Sequence, residues 1–207
     1  AELAKENHIK TDLIIPVPDS GVPAAIGYSE SIKNNVELGI IRNHYVGRTF
    51  IEPTQQIRSL GVKLKHNVNK SLVKNKSLIL IDDSLVRGTT SVKIVKMLYE
   101  AGAKEVHLRI AAPPIKYPDY YGVDTPNQDE LLAAKLDLEG MRKFINVTTL
   151  QFLSIDGLYK AMGYQKRNST YPQFTDHCFT GEYPVKPVDA SDKDFMSNKM
   201  SFMSSKI

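Results

Sequence analysis

The apolar positions of the chain fall into short continuous runs, separated by longer segments with helical spacing. The clearest run is 78–81, whose length and composition are typical of a strand buried on both faces of a parallel sheet. The other strand candidates are shorter or less regular. They are 13–15, 36–41, 62–65, 105–112 and 150–153.

Helix signals follow most of these runs. Val92, Ile94 and Val95 begin a helical spacing after the run at 78–81, and Gly102 is typical of a helix end. Pro23 suits an early helical position, where a missing N–H costs little. Other helix candidates are 1–10, 127–135, 138–144 and 157–162. The alternation predicts an α/β fold with a central, mainly parallel sheet and helices on both faces.

Two adjacent carboxylates, Asp82 and Asp83, stand where the central strand is expected to end. A loop with Gly88 and several hydroxyl side chains follows and leads into the next helix. Ligands of open α/β sheets bind outside the carboxyl ends of the strands, and the free N–H groups of a helix N-terminus bind phosphate. Carboxylates repel a bare phosphate, but they suit sugar hydroxyls or a divalent cation. The stretch therefore favours a phosphorylated sugar that carries a metal-bound diphosphate.

Two other interpretations of this stretch stay open. The acidic pair, or the hydroxyls at 89–91, could simply cap the following helix. The pair could also be a phosphoacceptor of the response-regulator type, but that chemistry does not account for a hydroxyl-rich loop directly after the acids. We favour the sugar phosphate because strand, acids, loop and helix occur together.

Two further loops carry candidate chemistry. In the loop 16–21, Asp19 and Ser20 lead into another helix, and from the residues alone a plain helix cap is the simpler interpretation. The segment 42–58 contains bases without a clean period. A loop of this length in a compact domain is usually functional or mobile, and its bases could close over an anionic substrate. A solvated basic loop is the alternative.

Length and composition limit the class of protein. The 207 residues are expected to form one domain over 1–185 and a poorly ordered tail over 186–207. The net charge of +4 is too small to argue for a nucleic-acid partner, and the apolar runs are too short for a membrane span. The single cysteine, Cys178, excludes an intrachain disulfide framework and favours a reducing compartment, so we expect a cytoplasmic protein.

The stretch 81–90 reads Ile-Asp-Asp-Ser-Leu-Val-Arg-Gly-Thr-Thr. Five supporting stretches extend from the first strand to Pro184. They are 17–20, 42–51, 100–106, 121–126 and 178–181. In this order, the set resembles the type I phosphoribosyltransferases, and among them the glutamine phosphoribosylpyrophosphate amidotransferases of purine synthesis. The family resemblance implies the type I phosphoribosyltransferase fold, with a flexible catalytic loop.

The resemblance also implies roles for matching residues. The 5′-phosphate of phosphoribosyl pyrophosphate would lie on 84–91, especially on Thr89 and Thr90. Asp82 and Asp83 would bind the ribose hydroxyls, directly or through Mg²⁺, for which Ser20 is a third implied ligand. The implied catalytic residues, which would close on the pyrophosphate, are Arg42, Tyr45 and Arg48. The implied substrate-binding residues are Asp19, Ser20, Asp82, Asp83, Ser84, Val86, Arg87, Gly88, Thr89, Thr90 and Ser91.

The implied reaction is attack of ammonia on the anomeric carbon of phosphoribosyl pyrophosphate, which gives phosphoribosylamine and magnesium pyrophosphate. AMP and GMP are the implied inhibitors, and a homo-oligomer is expected. Two other functions stay open: a regulator that senses phosphoribosyl pyrophosphate or nucleotides without turnover, and a phosphoribosyltransferase that uses a base. The flanking motifs favour the amidotransferase, and we find no basic helix-turn-helix segment that would favour a regulator.

The chain departs from the family pattern at its start and in two loops. Residue 1 is Ala, whereas the family's glutaminase domain begins with a cysteine nucleophile. We therefore expect the phosphoribosyltransferase half alone, using ammonia and not glutamine, with a glutaminase domain or subunit as a candidate partner. Arg42 replaces a lysine, while His44 and Lys70 stand where the family usually has arginine. An unperturbed histidine is mostly neutral at pH 7, so His44 puts a positive charge in doubt.

Some relatives hold an iron–sulfur cluster with cysteines at positions that match Asp119, Thr175 and Cys178. Only Cys178 is a cysteine here. Because a cluster needs four thiolates, we predict none. The adjacent His177 and Cys178 are by themselves a weak metal signal, which we interpret as chance.

Overall fold

The computed structural model describes residues 1–43, 66–123, 125 and 127–185. The strands of this part are β1 (Leu13–Pro16), β2 (Ile40–Arg42), β3 (His66–Val68), β4 (Ser77–Asp82), β5 (Glu105–Ile110) and β6 (Thr149–Phe152). The helices are α1 (Glu2–Glu6), α2 (Val22–Ile32), α3 (Lys70–Val73), α4 (Thr89–Glu100), α5 (Leu132–Lys135), α6 (Leu138–Ile145), α7 (Ile155–Ala161) and α8 (His177–Thr180), with a short 3₁₀ helix at Gln128–Glu130.

The main sheet consists of parallel strands in the order β1, β4, β5, β6. Its register places Ile14 opposite Ile79 and Leu80 opposite Leu108. A second, antiparallel pair joins β2 to β3 and sets Arg42 opposite His66. The carboxyl ends of β1, β4 and β5 therefore share one edge of the main sheet, where a ligand crevice is expected in such folds.

Strand β4 lies inside the sheet and is buried on both faces. Leu78 and Leu80 belong to a core that includes α4 and α6, while Ile79 and Ile81 face the opposite side and pack with α1 and α2. This arrangement follows from the period of two in a strand, which sends successive side chains to opposite faces. It confirms the predicted α/β fold, with a parallel sheet and helices on both faces.

Two predicted elements differ in the structure. The strand expected at 36–41 is only Ile40–Arg42, because the chain leaves the edge of the main sheet after a single bridge between Val36 and Ile14 and pairs with β3. The single helix expected at 127–135 is a 3₁₀ turn and α5, separated by the extended Leu131. The amide of Leu132 donates to the carbonyl oxygen of Val86 at 2.8 Å, so a tertiary contact overrides the local helical pattern here.

Three expectations lie outside the described residues. They concern the edge strand at 62–65, the loop 42–58 beyond Asn43, and the tail at 186–207. Within the described ranges, none of the helices combines the length and the apolar character needed to cross a bilayer.

Candidate active site

The segments after β1 and β4 meet at the carboxyl edge of the sheet. The amide of Val17 donates to the carbonyl oxygen of Ile81 at 2.8 Å, and the turn that follows contains a cis peptide bond between Pro18 and Asp19. Any Cβ at Gly21 would clash with the same carbonyl, so only glycine allows this close approach. The approach brings Ser20 beside Asp82, with Ser20 Oγ donating to Asp82 Oδ1 at 3.4 Å.

A cavity of about 410 Å³ opens between these segments. Small-molecule sites commonly have volumes of roughly 300–1,000 Å³, so the cavity suits a small ligand. Its lining brings together most of the predicted site residues. The lining residues are Val17, Pro18, Ser20, Arg42, His66, Asp82, Asp83, Ser84, Leu85, Val86, Arg87, Gly88, Thr89, Thr90 and Ser91.

One wall of the cavity is the N-terminus of α4. This helix begins at Thr89 and has no side-chain cap within the described structure, so the N–H groups of its first turn are available to an anion. Gly88 takes the left-handed conformation, with a φ of 75°, where the loop enters the helix. A Cβ at Gly88 would meet Leu132 and Phe144, at 2.7 and 3.2 Å. These contacts and the backbone conformation both favour glycine at this position.

The two carboxylates of the acidic pair differ in environment. Asp82 is 7 % exposed, whereas Asp83 is exposed to solvent. Burial, followed by the neighbouring Asp83, raises the pKa of Asp82 to about 7. The amide of Asp83 donates to Asp82 Oδ1 at 2.9 Å and offsets part of this shift. A nearby cation stabilises the ionised form of a buried carboxylate whose pKa is raised. Ser20, Asp82 and Asp83 offer the oxygen ligands that Mg²⁺ prefers. The donor set therefore fits a magnesium ion.

Arg42, at the end of β2, also lines the cavity. Arg42 Nη1 forms an ion pair with Asp19 Oδ2 at 2.7 Å, so Asp19 is connected to the lining through Arg42. A second lining residue, Arg87, pairs with Glu130 at 2.8 Å. Both ion pairs are partly exposed, which makes them weak and easily exchanged for a ligand anion.

One lining residue, His66, lies outside every stretch that the sequence singles out. His66 is buried at the start of β3 and lies opposite Arg42 in the antiparallel pair. No motif or spacing singled it out, because its place depends on pairing between two distant three-residue strands. Tyr45 and Arg48, which were predicted to act with Arg42, lie outside the described residues.

Comparison with known proteins matches this chain to one domain family. The model of the phosphoribosyl transferase domain matches residues 1–124. Amidophosphoribosyltransferase of Rhizobium etli is 56% identical over 98% of this chain, and amidophosphoribosyltransferase of Bacillus subtilis is 47% identical over 89%. This chain covers 41% and 38% of these two relatives, so it spans less than half of their length.

A solved structure shows the same likeness in three dimensions. The glutamine phosphoribosylpyrophosphate amidotransferase from B. subtilis, complexed with ADP and GMP, superposes with a TM-score of 0.78 at 46% identity. The superposition covers 88% of this chain and 40% of that one. The fold thus matches that of a known relative, and the chain belongs to the phosphoribosyl transferase domain family.

Proposed function

We propose that this chain transfers the phosphoribosyl group of phosphoribosyl pyrophosphate to ammonia, giving 5-phosphoribosylamine and pyrophosphate as in the first step of purine biosynthesis. One observation carries the proposal: a single cavity joins an uncapped helix N-terminus, an acidic pair and a basic side chain. A sugar that carries phosphate at one end and diphosphate at the other needs these three environments. The names of the relatives support the amidotransferase reaction in particular.

The 5′-phosphate binds at the start of α4. The amides of its first turn, the helix dipole and the hydroxyls of Ser84, Thr89 and Thr90 suit a phosphate dianion. Thr89 and Thr90 are exposed, so they can turn toward the ligand at little cost. Arg87, on the same loop, adds positive potential.

Asp82 and Asp83 bind the ribose hydroxyls, and Ser20 and this pair would hold Mg²⁺. When bound, such an ion would supply positive charge next to the leaving pyrophosphate. The buried position of Asp82 supports this role, because a carboxylate without a nearby cation costs stability there. Asp83 is exposed at the mouth of the same cavity and can reach either the sugar or an ion-bound water.

Arg42 binds the pyrophosphate end. The lone pair of ammonia forms a bond to the anomeric carbon while the bond between that carbon and the pyrophosphate oxygen breaks, and the new ammonium group releases a proton to solvent. Positive charge develops on the ribose and negative charge on the leaving group. Catalysis therefore comes from positioning and charge stabilisation, and neutral ammonia needs no general base.

The deciding experiment measures pyrophosphate release from phosphoribosyl pyrophosphate and Mg²⁺ by the purified chain. We expect release with ammonia at alkaline pH, where the neutral amine is abundant, and none without a nucleophile. Separate reactions with glutamine and with adenine test the expected preference for ammonia and the base-using alternative. Tight substrate binding without pyrophosphate release under any condition would identify a sensor and refute the proposal.

Paired variants make the assay specific to this cavity. Asp83→Asn should abolish most of the ammonia-dependent release, because the residue is exposed at the mouth of the cavity and its loss leaves the core intact. Asp129→Asn removes an equally exposed carboxylate from the 3₁₀ helix and should leave the rate unchanged. Equal rates for both variants would place the reaction elsewhere.

A further inference from the structure

A second cluster of reactive side chains lies where the loop after β5 meets the C-terminal segment. Asp119 and His177 are 4 % and 3 % exposed, and Cys178 is half-buried beside them. Each of the three offers one ligand atom, and these atoms lie within 4.8 Å of one another. From the sequence alone, we interpret the adjacent His177 and Cys178 as a chance pair. The fold, however, brings them against the carboxylate of Asp119, which lies 58 positions before His177.

Backbone hydrogen bonds hold the loop after β5 and the C-terminal segment together around this cluster. The amides of Lys116 and Tyr117 both donate to the carbonyl oxygen of Cys178, at 2.9 and 3.1 Å. Asp119 Oδ1 accepts from the amide of Tyr121 at 2.8 Å and from that of Val123 at 2.9 Å, which fixes the carboxylate. The position of the donor atoms therefore follows from the backbone and does not depend on a flexible side chain.

The imidazole of His177 is buried with one ring nitrogen facing Asp119. Its Nε2 lies 2.6 Å from Asp119 Oδ2, whereas its buried Nδ1 has no hydrogen-bond partner in the described part of the structure. The rings of Tyr121 and Tyr183 pack on it, with centroids 5.0 and 4.8 Å away, and shield it from water. Because Nε2 is the ring nitrogen that faces the carboxylate, it is the candidate metal ligand of this residue.

The distances are close to those of a coordination site. In tetrahedral zinc sites, bond lengths of about 2.3 Å to sulfur and 2.0 Å to nitrogen or oxygen place sulfur and oxygen ligands about 3.5 Å apart, and nitrogen and oxygen about 3.3 Å apart. Here Cys178 Sγ lies 3.9 Å from Asp119 Oδ2, and His177 Nε2 lies 2.6 Å from it. The sulfur–oxygen distance is already near the coordination value, whereas the ring of His177 has to move away from the carboxylate, so that the ion replaces their hydrogen bond.

We propose that Asp119, His177 and Cys178 bind one Zn²⁺ ion, with water as the fourth ligand. The thiolate and imidazole select a borderline metal such as zinc over Mg²⁺, which prefers oxygen. On binding, the thiol of Cys178 releases its proton to solvent as the sulfur–metal bond forms, and no electron is transferred. The ion crosslinks the loop after β5 to α8. This proposal does not depend on the proposed function.

Cobalt spectroscopy on the untagged 207-residue chain tests the site directly. Cys178 is the only cysteine of the chain, so a thiolate-to-Co²⁺ charge-transfer band reports on this position alone. We expect the band to appear with one equivalent of Co²⁺, to disappear when Zn²⁺ is added, and to persist in excess Mg²⁺. Absence of the band in the folded wild-type protein would overturn the proposal, whatever the variants show.

Variants then assign the ligands. Cys178→Ser should abolish the band and weaken Zn²⁺ binding in calorimetry at least tenfold, and His177→Gln should weaken it similarly. His8→Gln, which changes an exposed histidine, is the control and should bind as wild type does. Zn²⁺ should also raise the melting temperature of the wild type but not that of Cys178→Ser. Equal Zn²⁺ affinity in all four proteins would refute the site and indicate unspecific binding.

Discussion

At the scale of single residues, the acidic pair shows what the sequence could and could not predict. The position of Asp82 and Asp83 after four apolar residues placed both of them at the end of a buried strand, and the structure places both on the cavity. The sequence could not show that only Asp82 is buried, because that depends on Ser20 and the turn after β1 folding over it. The difference in burial gives the two carboxylates different electrostatic properties.

Because of this burial, Asp82 contributes stability to the ligand-free protein that is lost as the pH rises. The pKa of Asp82 is about 7 in the folded protein and near 3.8 for a free side chain. Between these values the carboxyl releases its proton in the unfolded chain but keeps it in the folded protein, so the contribution of Asp82 to the free energy of unfolding falls as pH rises from 4 to 7. This contribution is on the order of 4 kcal/mol.

Denaturant unfolding at several pH values, without metal or substrate, measures this contribution as a difference from the wild type. Asp82→Asn cannot titrate at this position, so its stability relative to the wild type should rise between pH 4 and 7, while Asp129→Asn should keep the pH profile of the wild type. Parallel pH profiles for all three proteins would mean that Asp82 is ionised in the fold.

Alanine substitutions at Gly88 and Gly163 separate the effect of backbone strain from the effect on ligand binding. Gly88 and Gly163 both have a positive φ, of 75° and 91°, so alanine at either position should cost about 1–2 kcal/mol. At Gly163 the added methyl meets nothing within 4 Å, whereas at Gly88 it pushes on Leu132 and Phe144 and displaces the start of α4. We therefore expect a lower melting temperature for Gly88→Ala than for Gly163→Ala, and weaker substrate binding only for Gly88→Ala. Calorimetry with phosphoribosyl pyrophosphate would contradict this if both variants bound equally well.

At the scale of elements, the sequence predicted best where local and tertiary preferences agree. Strand β4 and helix α4 follow their apolar periods closely, because both bury the predicted residues in one core. The prediction of a single helix over 127–135 is wrong because the amide of Leu132 donates to the carbonyl oxygen of Val86 in the neighbouring loop. A helix that continued through Leu131 would break that hydrogen bond. Helical spacing over nine residues could not outweigh this tertiary hydrogen bond.

The loop and the N-terminus of α4 should act as one phosphate site. Thr90→Val removes a hydroxyl and keeps the shape of the side chain, and a hydrogen bond to a charged group contributes about 1.5–3 kcal/mol. We expect affinity for phosphoribosyl pyrophosphate and for AMP to fall alike, by roughly ten- to a hundredfold. Thr170→Val, at another exposed threonine, is the control and should change neither affinity. Loss of AMP binding alone would show that the two ligands do not share this loop.

At the scale of the whole molecule, the site is assembled from segments far apart in sequence. The sequence identified the loops after β1 and β4, because each carries its chemistry next to an apolar run. It could not place His66, or show that Asp19 pairs with Arg42, because both depend on the position of the small β2–β3 pair. This pair brings Arg42 and His66 to the cavity, so its basic side chain comes from a different part of the fold than the N-terminus of α4.

This separation predicts that Arg42 distinguishes the substrate from a purine mononucleotide. Phosphoribosyl pyrophosphate and AMP share a ribose 5′-phosphate, and both should use the N-terminus of α4, but only the substrate carries a pyrophosphate that reaches Arg42. Arg42→Gln should therefore weaken phosphoribosyl pyrophosphate binding by roughly ten- to a hundredfold and leave AMP binding unchanged. The substrate must exchange the ion pair with Asp19 for its own, so Asp19→Asn should not weaken substrate binding as Arg42→Gln does.

Lys96→Gln, an exposed lysine in α4 beyond the cavity lining, controls for the loss of one positive charge. Calorimetric titration of all four proteins with both ligands would contradict the assignment if Arg42→Gln weakened AMP and substrate equally. Arg42 would then raise the potential of the whole cavity, and the pyrophosphate end would have to lie elsewhere along its wall.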